Sequence, residues 1–98
     1  MIEEPYAALR AVLDLAYEQS ATGKGKERHA NGKPFLRQPI LEIARMVGVG
    51  GHTYQICKKA QEATSMANRG ELSRAKAELL GVIVYAAAAH ILLSEQDS

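Results

Sequence analysis

The 98-residue chain has no tryptophan, one phenylalanine (Phe35) and one cysteine (Cys57). A single cysteine excludes an intramolecular disulfide and points to a reducing cytosol. Large aromatics are scarce, and the 47% hydrophobic fraction comes mainly from Ala, Leu, Ile and Val. That balance argues against a β-sandwich and for packed helices. The opening decapeptide, MIEEPYAALR, is acidic and has no basic segment leading into an apolar run, so no signal peptide is expected. An uncharged run covers residues 79–93, 15 residues that include Gly81 and His90, and only Ser94 extends it before Glu95. A membrane span needs roughly 20. The expectation is therefore a soluble, cytoplasmic protein with no membrane partner.

Catalytic signatures are missing as well. The chain has no H-E-x-x-H, no cysteine pair, no Walker lysine motif and no Gly-x-Ser-x-Gly. Its three histidines, His29, His52 and His90, follow no regular metal-ligand spacing, so neither a metal nor a cofactor is expected. His90, inside an apolar helix, reads as a hydrogen-bonded core residue, and Cys57 as a small buried hydrophobe.

What the sequence does carry is helical periodicity in one small all-α domain near the lower size limit for independent stability. Pro5 at a first-turn position, followed by Tyr6, Leu9, Leu13 and Ala16 or Tyr17 with Val12 beside them, predicts a helix over about residues 4–20. Residues 21–34 read as a basic loop containing the turn dipeptide Asn31-Gly32. Pro39 opens a second helix, about 39–47, with Ile40, Ile43, Met46 and Val47 as its apolar face. It stops at GVGG, residues 48–51, because glycine costs a helix interior about 1 kcal/mol per residue. Thr53 is then the candidate N-cap of a helix over about 54–67, whose face reads Ile56, Cys57, Ala60, Ala63 and Ala67. Asn68-Arg69-Gly70 ends it. A fourth helix, about 72–93, follows after a short turn, so the last two helices are expected to pack as an antiparallel hairpin. The fourth helix is apolar on every side from Leu79 onward. Three short helices cannot cover it, which predicts a homo-oligomer with this helix in the interface.

Charge is unevenly placed. Residues 1–23 sum to −3, residues 24–59 to +6 and residues 60–98 to −2. The basic block contains GKGKERHANGKPFLR, in which Lys24, Lys26, Arg28, Lys33 and Arg37 with His29 face a single acid, Glu27. Such a cluster points to an anionic partner. A second anion signal is GVGGHTYQICKK, a glycine-rich turn directly before a helix N-terminus, where backbone N–H groups and the dipole favour phosphate. It nominates His52, Thr53, Tyr54, Lys58 and Lys59. Tyr6, Tyr17 or Tyr54 could stack on a base.

Two resemblances bear on the ligand. Lys58-Lys59-Ala60-Gln61-Glu62, followed by Glu78-Leu79-Leu80-Gly81 and the run ELLGVIVYAAAA, resembles the metal-binding hairpin of MazG-type all-α nucleoside triphosphate pyrophosphohydrolases. That family places Glu-Glu-x-x-Glu on one helix and Glu-x-x-Asp on the next. Here lysines replace the first two acids and glycine the last, leaving Glu62 and Glu78. The resemblance implies a nucleotide-binding relative that holds phosphate with lysine in place of magnesium. Lys59-Ala60-Gln61-Glu62-Ala63 followed by Ala67-Asn68-Arg69 is similar to the helical hairpin of small phage sponges of the anti-CBASS and anti-Thoeris type. Those are oligomeric helical proteins that sequester cyclic nucleotide immune signals without cleaving them. The leading expectation is thus a non-catalytic, oligomeric binder of a small phosphorylated molecule, a nucleotide or cyclic nucleotide signal. A magnesium-dependent pyrophosphohydrolase, a small nucleic-acid-binding protein and a protein-interaction module remain as alternatives.

Overall fold

The computed structural model describes residues 4–22 and 32–97, so Lys24, Lys26, Arg28 and His29 lie outside the described residues. Among these residues the protein is all-α, a small helical bundle with no strand. Helix α1 spans Ala7–Ala21, a 3₁₀ turn Phe35–Arg37, α2 Pro39–Val47, α3 Gly50–Asn68 and α4 Leu72–Asp97.

Helix boundaries follow local chemistry. Before α1, Glu4 ties up the entering chain: its carbonyl accepts from the Ala7 N–H at 3.0 Å and its carboxylate from the Tyr6 N–H at 3.1 Å. The helix therefore begins at Ala7, two residues after Pro5 and three after the expected start at about residue 4. Pro39 opens α2 as expected, and Gly48, at φ +87°, breaks the chain after it. The expected GVGG stop is only half right. Gly50 and Gly51 belong to the first turn of α3, and Thr53 is no N-cap, since its hydroxyl donates to the Gly50 carbonyl at 3.1 Å. The reason is steric. A Cβ at Gly51 would meet the Val47 side chain at 3.3 Å, so glycine lets α3 start hard against the end of α2. At the other end Gly70, at φ +80°, closes a Schellman motif: Glu71 N–H donates to the Met66 carbonyl at 2.9 Å and Gly70 N–H to Ala67 at 3.0 Å.

The core is small. Leu41 and Ala44 of α2 pack with Ala88 and Leu92 of α4, flanked by Phe35, Ile40, Val49 and Ile91. Arg45 reinforces this junction through Glu95, with Nε and Nη2 donating to the two carboxylate oxygens at 3.0 and 2.9 Å. The inward stripe of α2 is thus Leu41 and Ala44. Ile43, Met46 and Val47, three of the four residues expected to face inward, are exposed. Helix α2 is apolar on two sides, and periodicity alone chose the wrong one.

The largest helix–helix contact joins α3 to α4. Apart from His52 and the α2–α4 core residues Ala88 and Leu92, the buried residues of these two helices are small or slender: Ala63 and Met66 from α3, Ala75 and Gly81 from α4. Small residues let the two backbones approach closely. Cys57 is exposed rather than buried, and so is His90, whose carbonyl accepts from the Ser94 hydroxyl at 2.9 Å. Both residues point away from the α3–α4 contact. By length and composition α4 is long and apolar enough to cross a membrane, with an 18-residue window of mean hydropathy 1.8, of which 17% is buried.

Candidate functional site

Where α3 and α4 run together, two stripes at spacing i, i+3, i+7 face a common cleft of about 590 Å3. One is His52, Gln55 and Lys59; the other is Glu78, Gly81 and Tyr85. Gln38, Tyr54 and Arg74 also reach it. Helices α1 and α2 wall it as well, through Gln19, Ser20, Ile40, Ile43 and Val47, so the cleft joins the polar α3–α4 seam to apolar side chains of α2.

His52 anchors the seam. It is 2% exposed, and its Nε2–H donates to the Ile40 carbonyl at 2.6 Å, pinning α3 to α2. Its other ring nitrogen, Nδ1, is buried with no hydrogen-bond partner among the described residues. The ring lies 6.2 Å from that of Tyr85, tilted by 58°. Tyr85 is half-buried, and burial pushes its phenol above the usual tyrosine range.

Lys59 fills the middle of the seam. A Cβ at position 81 would meet Lys59 Cδ at 3.1 Å, so Gly81 supplies the space in which the lysine stem lies. The ammonium stands 3.5 Å from Glu78 Oε2 and 5.9 Å from the Tyr85 ring centre. A charge-assisted N–H···O bond measures about 2.7–2.9 Å. The Lys59–Glu78 pair is thus an ion pair longer than a good hydrogen bond, and Glu78 Oε2 is a buried oxygen without a hydrogen-bond partner. Arg74 donates to Glu71 at 2.5 Å and Arg69 donates to the same carboxylate at 2.6 Å. Those two hydrogen bonds, Arg69 first, hold the Glu71 carboxyl below its usual range.

The residues expected to bind an anion separate into three groups. His52, Tyr54 and Lys59 share the cleft. Lys33 lines an adjoining apolar groove of about 740 Å3 between α1 and α4, and Gln38, whose side-chain amide donates to the Lys33 carbonyl at 2.8 Å, borders both spaces. Arg37, Thr53 and Lys58 enter neither. Arg37 sits 3.9 Å from Glu42, and Lys58 sits 4.0 Å from Glu62, both on the surface. His52 lines the cleft and also holds a backbone carbonyl inside the fold. Sequence reading passed over Gln55, Arg74, Gly81 and Tyr85 as site residues. The signal was present: Glu78, Gly81 and Tyr85 form a polar, small and aromatic stripe on one face of an apolar helix.

The two acids left by the pyrophosphohydrolase resemblance, Glu62 and Glu78, each face a lysine. Among the described residues no group of three or more His, Cys, Asp or Glu side chains is placed to hold a metal ion. This donor set does not fit a magnesium ion that must also grip a triphosphate. No protein-family model, curated protein or solved structure matches this chain. The functional reading therefore rests on the cleft itself. Lys59 and Arg74 against Glu78 leave it one unit positive, with two phenols and three side-chain amides (Gln19, Gln38 and Gln55) around those charges.

Proposed function

We propose that this chain is a non-catalytic binding protein. Its role is to sequester a small phosphorylated molecule, a nucleotide or cyclic nucleotide signal, in the cleft between α3 and α4. In this reading α3 and α4 act as an antiparallel hairpin and the working form is a homo-oligomer. The observation that carries it is Lys59: an ammonium held in a tyrosine-lined cleft by a 3.5 Å ion pair that leaves its N–H donors free of a short hydrogen bond. An incoming phosphate offers those donors shorter, charge-assisted bonds, with Arg74 as a second cation. Tyr54 or Tyr85 supplies an aromatic face for a base, and Gln38 and Gln55 supply amide groups that can read its edge.

The test is titration calorimetry of the purified protein against cyclic oligonucleotides, ADP-ribose derivatives and nucleoside triphosphates. Binding is expected, with the ligand recovered chemically intact after heat denaturation and an affinity roughly tenfold or more weaker in Lys59→Gln or Arg74→Gln. A ligand returned cleaved would make the protein an enzyme. Silence across the panel would remove the reading altogether.

A further inference from the structure

The Lys59–Glu78 and His52–Tyr85 contacts are two rungs across the α3–α4 seam. They stand seven residues apart on each helix, about 10 Å along its axis. Each rung holds a buried acceptor. Glu78 Oε2 has no hydrogen-bond partner among the described residues, and neither has His52 Nδ1. The His52 ring is almost wholly buried, and its Nε2–H is committed to the Ile40 carbonyl. A neutral imidazole protonated at Nε2 presents a lone pair at Nδ1, and an ionised carboxylate is acceptor-only. Both atoms therefore require an N–H or O–H donor, and a buried acceptor left without one destabilises the state that contains it.

The donor that faces Glu78 is Lys59, and the same ammonium is the phosphate contact proposed above. Once it turns to a phosphate, the Glu78 carboxylate loses that counter-charge. Arg74, the other cation lining the cleft, already donates to Glu71. A bare phosphate would thus set one anion beside another. A ligand that brings its own hydroxyl or amino group removes the conflict, because that group donates to the carboxylate as the ammonium leaves it. Acidic side chains beside phosphate sites accept from sugar hydroxyls in this way. The Lys59 and Glu78 side chains are 27% and 24% exposed, so the pair lies at the cleft wall. It opens by rotation of the flexible lysine stem, with both helices in place.

We propose that Glu78 determines which phosphorylated molecules the cleft accepts. The Lys59–Glu78 pair opens around the ligand, the ammonium taking a phosphate oxygen and the carboxylate taking an N–H or O–H donor from the sugar or the base. His52 Nδ1 receives a second donor one rung away. This rests on the phosphate-binding reading and adds the other half of the ligand's chemistry: nucleotides with free hydroxyl or amino groups are held, and bare polyphosphates are refused.

Calorimetry in magnesium-free buffer tests it with four probes: ATP, 2′,3′-dideoxy-ATP, purine riboside triphosphate and inorganic tripolyphosphate. Wild-type protein should bind ATP roughly tenfold or more tightly than at least one of the two nucleotide analogues. Loss with the dideoxy compound assigns the donor to the sugar, and loss with the purine riboside assigns it to the base amine. Glu78→Gln keeps the side chain's size and removes its charge. It should weaken ATP roughly fivefold or more and tighten tripolyphosphate, a change of opposite sign for the two probes. Changes of the same sign, or wild-type affinities for ATP and both analogues within about twofold, would overturn this proposal and leave phosphate binding standing. Absence of binding by all four probes would overturn it together with the phosphate reading. The wild-type comparison decides the matter even where the variant fails to fold.

Discussion

The contact between α3 and α4 and the packing of α1 make an instructive contrast. Helices α3 and α4 meet through alanine, glycine and a polar seam, and α4 carries exposed large apolar side chains such as Leu72, Leu79 and Leu93. Helix α1 touches α4 through Ala16 and leaves Leu9, Val12, Leu13 and Leu15 exposed. Close approach of two backbones requires small residues, so a helix pair built this way buries little apolar area for its length. The larger side chains remain available for other surfaces. In this chain the α3–α4 pair is held by close packing of small residues, the Lys59–Glu78 ion pair and the His52–Tyr85 ring contact, while α1 leaves most of its apolar face exposed.

The contrast can be broken most forcefully at the junction of α2 with α4. Leu92, 1% exposed, should cost about 2–5 kcal/mol when changed to alanine, enough to remove most of a small domain's stability in chemical denaturation followed by circular dichroism. His52→Ala is expected to cost about 1–3 kcal/mol, because it strands the Ile40 carbonyl inside the fold. A loss that large from a polar side chain would mark the seam as structural as well as ligand-facing.

The same kind of change on α1 should read differently. Leu9→Ala is expected to alter the stability of the dilute protein by no more than about 0.5 kcal/mol, since the side chain is mostly exposed there. At higher concentration the wild type should melt at a rising temperature, as folding linked to the proposed homo-oligomer requires. The smallest effect is the pH dependence of the α2–α4 clasp. Hydrogen bonding to Arg45 holds the Glu95 carboxyl below its ordinary range. Its contribution is therefore complete above the ordinary carboxylate pKa and is lost as pH falls through the lower folded value. Arg45→Gln should shrink the acid-side loss of stability in pH-dependent thermal melts.

Much of this architecture was legible from residue patterns. Pro39, Gly48 and Gly70 mark the ends of α2 and α3 through backbone geometry that other residues adopt at a cost. The inward faces were harder to read. In α3 the buried stripe includes His52 and half-buried Lys59, so a search for apolar repeats caught buried Ala63 but otherwise settled to one side, on Ile56, Cys57, Ala60 and Ala67. In α2 two apolar faces compete, and only the position of α4 decides between them. The site was partly legible for the same reason. Lys59 was picked out by charge, whereas Gly81 and Tyr85 acquire meaning only when α3 lies against them.

Native mass spectrometry of the protein as purified, without detergent, is the most direct test of the central claim that the α3–α4 cleft of a homo-oligomer holds a phosphorylated molecule. The account predicts an oligomeric ion carrying the added mass of an intact phosphorylated small molecule. Lys59→Gln should lose that added mass and keep the oligomeric ion. An oligomeric ion with no added mass would contradict the ligand and spare the assembly. A single-chain ion with no added mass would contradict both.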